Sequence, residues 1–168
     1  MKNKEVNIAI IPARLGSKRI KQKNIKKFFN KPIILHVIEI LKKTKLFNYI
    51  VVTSDSNKIL KIAKKGGSNI SIKRPKYLSD DKTDTKSVII HSIKELEKIV
   101  NIKKVFCIYP TSVFTKVSTI HKAFKLEKEN NTFIFTASNY AHPIERSFIL
   151  KKKKLKLNFP KLINTRTQ

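Results

Sequence analysis

The stretch of the chain with the clearest chemical potential is a cationic loop that follows an apolar run near the N-terminus. In "IIPARLGSKRIKQKN", residues 10–24, two arginines and three lysines surround a Leu-Gly-Ser turn. The backbone N–H groups of such a turn can form an anion-binding nest, and the side chains add fixed positive charge around it. This geometry suits a triphosphate. The loop contains neither a Walker A motif nor a G-x-G-x-x-G, so by itself it is only a weak indication of function.

Alternating strand and helix patterns predict the elements that position this loop. The predicted strands are "VNIAII", "YIVVTSD", "NISIK", "KVFCIYP" and "TFIFTAS". Helical apolar spacing lies between them, with Pro32 in the first turn of the first helix, Ser56 or Asn57 as the cap of the second, and Gly66-Gly67 as its stop. The alternation predicts an α/β fold, a doubly wound and mostly parallel sheet flanked by helices.

The predicted sheet also determines where a ligand would bind. In sheets of this kind, ligands bind outside the carboxyl ends of the strands. The polar loops that follow the predicted strands are residues 12–24, 53–55, 74–85, 110–115 and 138–146. We expect them to surround one site.

Length and composition limit the class of protein. The chain has 168 residues, 40% of them hydrophobic, which is enough for one sizeable core, so we expect a single domain over residues 1–168. It lacks a membrane-length apolar run and the apolar segment of a signal peptide, which predicts a cytoplasmic protein. The only cysteine, Cys107, lies in the apolar run "VFCIYP" and is predicted to be a buried structural thiol.

The net charge of +27 raises the alternative of a nucleic-acid-binding protein. The distribution of the charge weakens that alternative, because only five of the 38 cationic residues are arginines and the lysines are scattered along almost every segment. Such scatter favours solvated surfaces over a selected binding stripe, so nucleic acid is an unlikely partner. The run "KKKK", residues 151–154, is interpreted as a turn that joins two short strands.

Several motifs together resemble a known family. "IIPARLGSKRIKQKNI" is similar to the signature I-P-A-R-G-G-S-K-x-I-P-x-K-N-I of the CMP-nonulosonic acid synthetases, the cytidylyltransferases that activate sialic and pseudaminic acids. "VVTSDS", "RPKYLSDDKTDT" and "IYPTS" resemble the family's later motifs in the same order. "HPIERSFIL" is closer to the pseudaminic acid branch. Two departures, Leu15 for a glycine and Lys21 for a proline, alter the signature turn without removing the nest.

The resemblance implies a fold, an activity and partners. It implies a Rossmann-like nucleotidyltransferase fold, CTP and a nonulosonic acid as substrates, Mg²⁺ as cofactor, and a CMP-sugar and pyrophosphate as products. Family members form homodimers and continue beyond "NTRTQ" with a strand, a dimerisation segment and metal-binding acidic residues. We therefore expect a truncated family member, and an inactive or CTP-binding fragment is an alternative to an active enzyme. The Mg²⁺ ligands are expected mainly from that further segment and from the CTP phosphates.

The resemblance also assigns roles within the cationic loop. Arg14 and Lys23 are the matched cations, and as the catalytic pair they are predicted to hold the β- and γ-phosphates. Ala13 would place its backbone against cytosine, and the amides from Leu15 to Ser17 would hold the phosphate chain. The nucleotide-binding residues predicted in this loop are Ala13, Leu15, Gly16, Ser17 and Asn24.

Alternatives stay open for the other polar residues of the loop. Asn24 either orients a phosphate or caps a short helix that begins near Ile25. Lys18 and Arg19 are either phosphate ligands or solvated loop charges, whereas Lys21 is interpreted as a solvated charge.

Two further loops are predicted to complete the nucleotide site. By family match Arg74 would contact the base or ribose, and the alternative is a pair with Asp80 or Asp81. These aspartates and Asp84 either contribute to a metal site or, for Asp84 especially, cap a helix. The other nucleotide-binding residues predicted in these loops are Thr83, Thr85, Pro110 and Thr111.

Three residues near the C-terminus are predicted to bind the sugar acid. Arg146 and Arg166 suit a carboxylate because a planar guanidinium can bind it bidentately, although Glu145 offers Arg146 a local surface pair instead. His142 is the one histidine expected near substrate, since His36, His91 and His121 lie in predicted helices. No His, Cys and carboxylate cluster has metal-ligand spacing, so no metal-ligating residue is predicted.

Overall fold

A computed structural model describes residues 4–17, 20–80, 82–126, 133–138, 144, 147–151 and 154–162. The chain divides into two compact units, residues 1–128 and 129–168, and each is described by itself. The expectation of one domain over residues 1–168 concerns how these units combine, and it stays a prediction. Among the described residues, no helix is both long and apolar enough to cross a lipid bilayer.

The first unit alternates strands and helices as the sequence predicts. Its strands are β1 (Glu5–Pro12), β2 (Lys27–Phe28), β3 (Lys31–Pro32), β4 (Tyr49–Ser54), β5 (Ile70–Lys73) and β6 (Asn101–Cys107). Its helices are α1 (Ile33–Thr44), α2 (Asn57–Lys65), α3 (Thr85–Glu97) and α4 (Val117–Leu126), and short 3₁₀ helices span Lys23–Ile25 and Lys76–Leu78.

Four strands of this unit form one parallel sheet in the order β5-β4-β1-β6. Ile10 of β1 pairs with Val51 of β4 on one side and with Cys107 of β6 on the other. After β5 the chain crosses back through α3 to the far side of β1, so the strand order reverses between β1 and β6. Such a switch point opens a crevice at the carboxyl ends of the two strands. The predicted α/β fold with a parallel sheet flanked by helices is confirmed.

The core lies on both faces of the central strand β1. Ala9 and Ile11 belong to a cluster with residues of α1, α2 and α4, whereas Ile8 and Ile10 belong to a second cluster with Leu96 of α3. All four β1 residues are fully buried. A strand covered on both faces needs apolar side chains at successive positions, which explains the unbroken run in the sequence.

The predicted ends of two helices are confirmed. The Ser56 hydroxyl accepts a hydrogen bond from the Ile59 amide at 3.5 Å and caps α2. Gly67, with φ of 97°, follows this helix in a conformation that side chains disfavour. Asp84 caps α3 by accepting from the Ser87 amide at 2.6 Å, and this hydrogen bond lowers the pKa of its carboxyl.

The second unit contains the predicted hairpin. Strand β7 (Phe148–Lys151) pairs antiparallel with β8 (Lys154–Leu157), which confirms the two short strands predicted on either side of the lysine run. The predicted turn itself, at positions 152–153, lies outside the described residues. A short 3₁₀ helix, Pro160–Leu162, follows. The predicted strand "TFIFTAS" is wrong for the described residues 133–138, which are irregular. Phe133 and Phe135 are largely exposed there, and aromatic residues favour a strand only where they pack against neighbouring residues of a sheet.

The prediction of a buried Cys107 is also wrong. Cys107 is exposed because it ends β6, which lies at the edge of the sheet and alternates exposed with partly buried residues. Partial removal of water around the sulfur nevertheless raises the pKa of the Cys107 thiol to about 11.

Candidate functional site

A cleft of about 240 Å³ lies at the carboxyl ends of the strands, beside the switch point between β1 and β6. Loops that follow β1, β5 and β6 supply its walls, together with the first residues of α3. The lining residues are Pro12, Arg14, Ser17, Lys23, Asn24, Arg74, Leu78, Asp80, Thr83, Asp84, Thr85, Val88, Tyr109, Pro110 and Thr111. The cleft therefore combines cationic side chains with several hydroxyl groups.

The loop after β1 is held against the end of β4 by its backbone. The Ala13 amide donates to the Thr53 carbonyl at 2.9 Å, and the Leu15 amide donates to Asp55 Oδ1 at 2.8 Å. Asn24 Nδ2 donates to the Arg14 carbonyl at 2.8 Å and closes the loop from its far end. These three contacts fix the backbone from which the side chain of Arg14 enters the cleft.

The guanidinium groups of Arg14 and Arg74 belong to the same cleft. Arg14 Nη1 donates to the Asp80 carbonyl at 2.8 Å, whereas Arg74 is only 5% exposed and its Nη2 donates to the Thr53 carbonyl at 3.0 Å. Burial lowers the pKa of Arg74; Asp55 opposes this shift and the nearby Arg14 adds to it. Arg74 Nε is buried without a partner among the described residues, which is unusual for a buried donor.

The acidic residues of the cleft serve mainly to shape it. Asp80 Oδ1 accepts from the Lys82 amide, the Thr83 amide and the Thr83 hydroxyl, and Asp84 caps α3. Within the described ranges, no group of three His, Cys, Asp or Glu residues could hold a metal ion. Mg²⁺ is usually held by one or two carboxylates together with substrate phosphates, so the predicted contribution of these aspartates to a metal site stays a prediction.

A pair of hydroxyl groups marks the opposite wall. Tyr109 follows β6, and its phenol lies 2.8 Å from the Thr85 hydroxyl at the start of α3. The Tyr109 side chain remains half exposed. The pair joins the end of β6 to α3 across the crevice and presents polar atoms to it.

The structure brings nine of the twelve predicted catalytic and nucleotide-binding residues to the lining of the cleft: Arg14, Ser17, Lys23, Asn24, Arg74, Thr83, Thr85, Pro110 and Thr111. Ala13, Leu15 and Gly16 belong to the same loop but are not among the lining residues; Ala13 is fully buried and Gly16 is exposed. The predicted sugar-acid residues His142, Arg146 and Arg166 lie outside the described residues, as do Lys18, Arg19 and Asp81.

The structure also decides several alternatives. Asn24 lies inside the 3₁₀ helix Lys23–Ile25 and holds the Arg14 carbonyl, so its predicted role as a helix cap is wrong. Arg74 donates to the Thr53 carbonyl. Its alternative pairing with Asp80 or Asp81 stays a prediction, because Asp81 lies outside the described residues. Asp84 is the helix cap that the sequence predicts. Lys21 is exposed and does not line the cleft, as expected of a solvated charge.

Two residues with functional contacts are absent from the set predicted by sequence. Tyr109 precedes Pro110 at the end of a strand, and that position was the available signal for it. Asp55 ends the motif "VVTSDS", yet nothing in the sequence indicates that its partner is an amide 40 positions away. Contacts between separate loops depend on strand register, which the sequence alone does not specify.

Comparisons with known proteins agree with this architecture. A sequence model of the family described as "Cytidylyltransferase" matches residues 8–161. A bifunctional protein of Helicobacter pylori, "Pseudaminic acid cytidylyltransferase and UDP-2,4-diacetamido-2,4,6-trideoxy-beta-L-altropyranose hydrolase", is 38% identical over 96% of this chain and 31% of its own length. The "Pseudaminic acid cytidylyltransferase" of Campylobacter jejuni is 35% identical over 87% of this chain and 64% of its own length. The chain thus spans less than two thirds of either relative.

Solved structures share the fold. A CMP:2-keto-3-deoxy-manno-octonic acid synthetase complexed with CTP superposes with a TM-score of 0.57 at 17% identity, over 74% of this chain and 48% of its own. A cytidylyltransferase of Leptospira borgpetersenii superposes with a TM-score of 0.58 at 22% identity, over 76% of this chain and 51% of its own. At these identities the likeness concerns the fold, and it confirms the predicted Rossmann-like nucleotidyltransferase fold.

Proposed function

Because this chain belongs to the cytidylyltransferase family, we propose that it transfers the cytidylyl group of CTP to a nonulosonic acid in the cytoplasm, for surface-glycan synthesis. The acceptor is of the pseudaminic or sialic acid type, and the products are a CMP-sugar and pyrophosphate. One observation carries the proposal: Arg14, Ser17 and Lys23 of the cationic loop line a single cleft with Arg74 and Thr111. The cleft lies at the switch point of the sheet, where such folds bind their ligands.

The reaction places a specific demand on this cleft. A hydroxyl oxygen of the acceptor attacks the α-phosphorus, a new O–P bond forms, and the bond to the oxygen that bridges the α- and β-phosphates breaks. The hydroxyl proton leaves to solvent, and pyrophosphate departs with the negative charge. Catalysis of such a transfer consists mainly of positioning and of neutralising charge.

The described residues can meet that demand. Arg14 and Lys23 would hold the β- and γ-phosphates and offset the charge that develops on the leaving group. Arg74 would donate from its unpartnered Nε to the base or ribose. Mg²⁺ would take its ligands chiefly from the phosphates, because the described acidic residues already hold the loop and the helix.

The acceptor assignment rests on the relatives. The two curated relatives described above carry the name of pseudaminic acid, which favours that sugar acid over sialic acid as the substrate. Arg146, Arg166 and His142 remain the proposed contacts for its carboxylate and neighbouring groups.

Isothermal titration at about 150 mM salt, where charge beyond roughly 8 Å is screened, tests the nucleotide half of the proposal. We expect CTP with Mg²⁺ to bind at least about tenfold more tightly than GTP or inorganic tripolyphosphate, because unspecific attraction to a lysine-rich protein would not separate them. Lys23→Ala should weaken CTP binding roughly tenfold by removing a charge-assisted contact. Lys61→Ala, in an exposed lysine of α2, is the matched control and should leave affinity unchanged. Equal affinity for the three ligands would refute the CTP site.

Release of pyrophosphate tests the catalytic half. The full chain is incubated with CTP, Mg²⁺ and either pseudaminic acid or N-acetylneuraminic acid, and pyrophosphate is measured with a coupled enzyme. We expect faster release with pseudaminic acid. CTP binding without release from any nonulosonic acid would favour the alternative of a CTP-binding fragment.

A further inference from the structure

We propose that Asp55 is a positioning residue for the phosphate loop: its carboxylate holds the Leu15 amide and thereby sets where the Gly16 and Ser17 amides and Arg14 face the triphosphate. The inference deepens the proposed function and rests on it. Nothing in the family resemblance assigns a role to this side chain.

The contact joins two loops that leave the sheet side by side. Strands β1 and β4 pair in register as far as Pro12 and Thr53, and the Ala13 amide continues the pairing by one bond to the Thr53 carbonyl. The Leu15 amide then donates to Asp55 Oδ1 at 2.8 Å. Here a side chain replaces the backbone acceptor, so the phosphate loop turns away from the sheet at Leu15.

Leu15 is consequently fixed from two directions. Its side chain packs against the core cluster, and its amide is committed to Asp55. The amides of Gly16 and Ser17 have no hydrogen-bond partner in the part of the chain that the structure describes. Space around Gly16 is open, because a Cβ placed there would meet no atom within 4 Å. The amides that can donate to a phosphate therefore begin at Gly16, one residue after Leu15, whose amide donates to Asp55.

Asp55 is itself held in place and does not line the cleft. The Lys73 ammonium donates to the Asp55 carbonyl and also to Asn57 Oδ1 at 2.9 Å, which ties the residue to β5 and α2. Its carboxylate also stabilises the charged form of the neighbouring Arg74. A carboxylate that meets the triphosphate directly would repel it, so its place behind the loop allows it to position cations without opposing them.

Two substitutions of Asp55 separate the effect of its hydrogen bond from the effect of its charge. Asp55→Ala removes the acceptor, whereas Asp55→Asn keeps an oxygen that can accept from Leu15 and removes the charge. Glu39→Ala is a control, because it removes an exposed carboxylate that pairs with Lys31 away from the cleft lining. We expect Asp55→Ala to weaken CTP binding roughly tenfold, and Asp55→Asn to bind within about threefold of the wild type.

Amide hydrogen exchange of the ¹⁵N-labelled full chain provides a readout that does not need CTP. In Asp55→Ala the Leu15 amide should exchange at least about tenfold faster, with Asp55→Asn close to the wild type. Unchanged exchange at Leu15 in a folded Asp55→Ala protein would overturn the proposal, as would equal CTP affinity in Asp55→Asn and Asp55→Ala. If the wild type binds no CTP, the proposed function fails, and the exchange measurement still decides whether Asp55 holds the loop.

Discussion

Strands β1 and β6 are neighbours in the sheet and both end at the cleft, yet they are covered differently. In β1 the residues from Ile8 to Ile11 are fully buried between helices on both faces. In β6 exposed and partly buried residues alternate, and Val105 is 36% exposed. The fully covered strand carries the cationic loop, whereas the edge strand carries the hydroxyl groups of Tyr109 and Thr111. Tight burial thus supports the residues that must hold charge at fixed positions.

The largest difference should appear in stability. Ile10→Ala should lower the free energy of unfolding by about 3 kcal/mol, because it removes fully buried methyl and methylene groups and leaves a cavity. Val105→Ala should cost less than about 1 kcal/mol, since that side chain is partly in water already. Urea denaturation of the two variants measures both values. Equal losses of stability in the two variants would mean that β6 is as fully covered in solution as β1.

The next contrast concerns charge against shape in the loop that β1 carries. Arg14→Ala should weaken CTP binding by about thirtyfold, because the variant loses both the positive charge and the planar set of N–H donors of the guanidinium. Arg14→Lys keeps the charge and loses the planar set of donors, so its affinity for CTP should lie between those of the wild type and the alanine variant. Titration calorimetry gives the three dissociation constants. Wild-type affinity in Arg14→Lys would show that charge alone suffices.

The thiol at the end of β6 should react slowly despite its exposure. With a pKa of about 11, Cys107 is almost entirely protonated at pH 8. Its alkylation by iodoacetamide should be about twentyfold slower than that of an ordinary exposed thiol, after allowing for the greater nucleophilicity of a more basic thiolate. The rate should rise tenfold per pH unit up to about pH 10. Glutathione is the control, and a rate that levels off near pH 9 would contradict the raised pKa.

The smallest effect is expected on the wall that β6 supplies. Tyr109→Phe removes the phenol that lies 2.8 Å from the Thr85 hydroxyl and keeps the ring. We expect CTP affinity to fall by roughly threefold or less, as for one neutral hydrogen bond between exposed groups. Thr85→Val, measured alone and with Tyr109→Phe, completes a double-mutant cycle. A loss as large as that of Arg14→Ala would mean that the two walls contribute equally.

The sequence predicts the parts of the fold that depend on local pattern. Three examples are the unbroken apolar run of β1, the cap at Ser56 and the pair of short strands β7 and β8, each of which follows from a short stretch of residues. Three of the five loops predicted to surround one site, residues 12–24, 74–85 and 110–115, supply lining residues of a single cleft, because the loops after parallel strands lie at the same edge of the sheet. Nine of its predicted residues therefore came together without knowledge of the register.

The predictions that failed depend on neighbours that a pattern does not specify. Residues 133–138 begin with the apolar, aromatic run Phe-Ile-Phe that is typical of a strand, but they have no partner strand among the described residues. Cys107 lies in an apolar run whose strand has the helix-covered β1 on one side and, within the part of the chain that the structure describes, no strand on the other. The bond between Asp55 and Leu15 requires β1 and β4 to be aligned to the residue, and that alignment arises only in the folded chain.

The Thr53 carbonyl accepts from both the Ala13 amide and the Arg74 guanidinium, so its two lone pairs are both used. This oxygen belongs to the backbone, and no amino-acid substitution at position 53 can delete it. The alignment of the phosphate loop with the buried arginine is therefore resistant to mutation at the residue on which both depend. Replacing a donor would uncouple the two, whereas exchanging that peptide bond for an ester by chemical synthesis would keep the oxygen and weaken both contacts together.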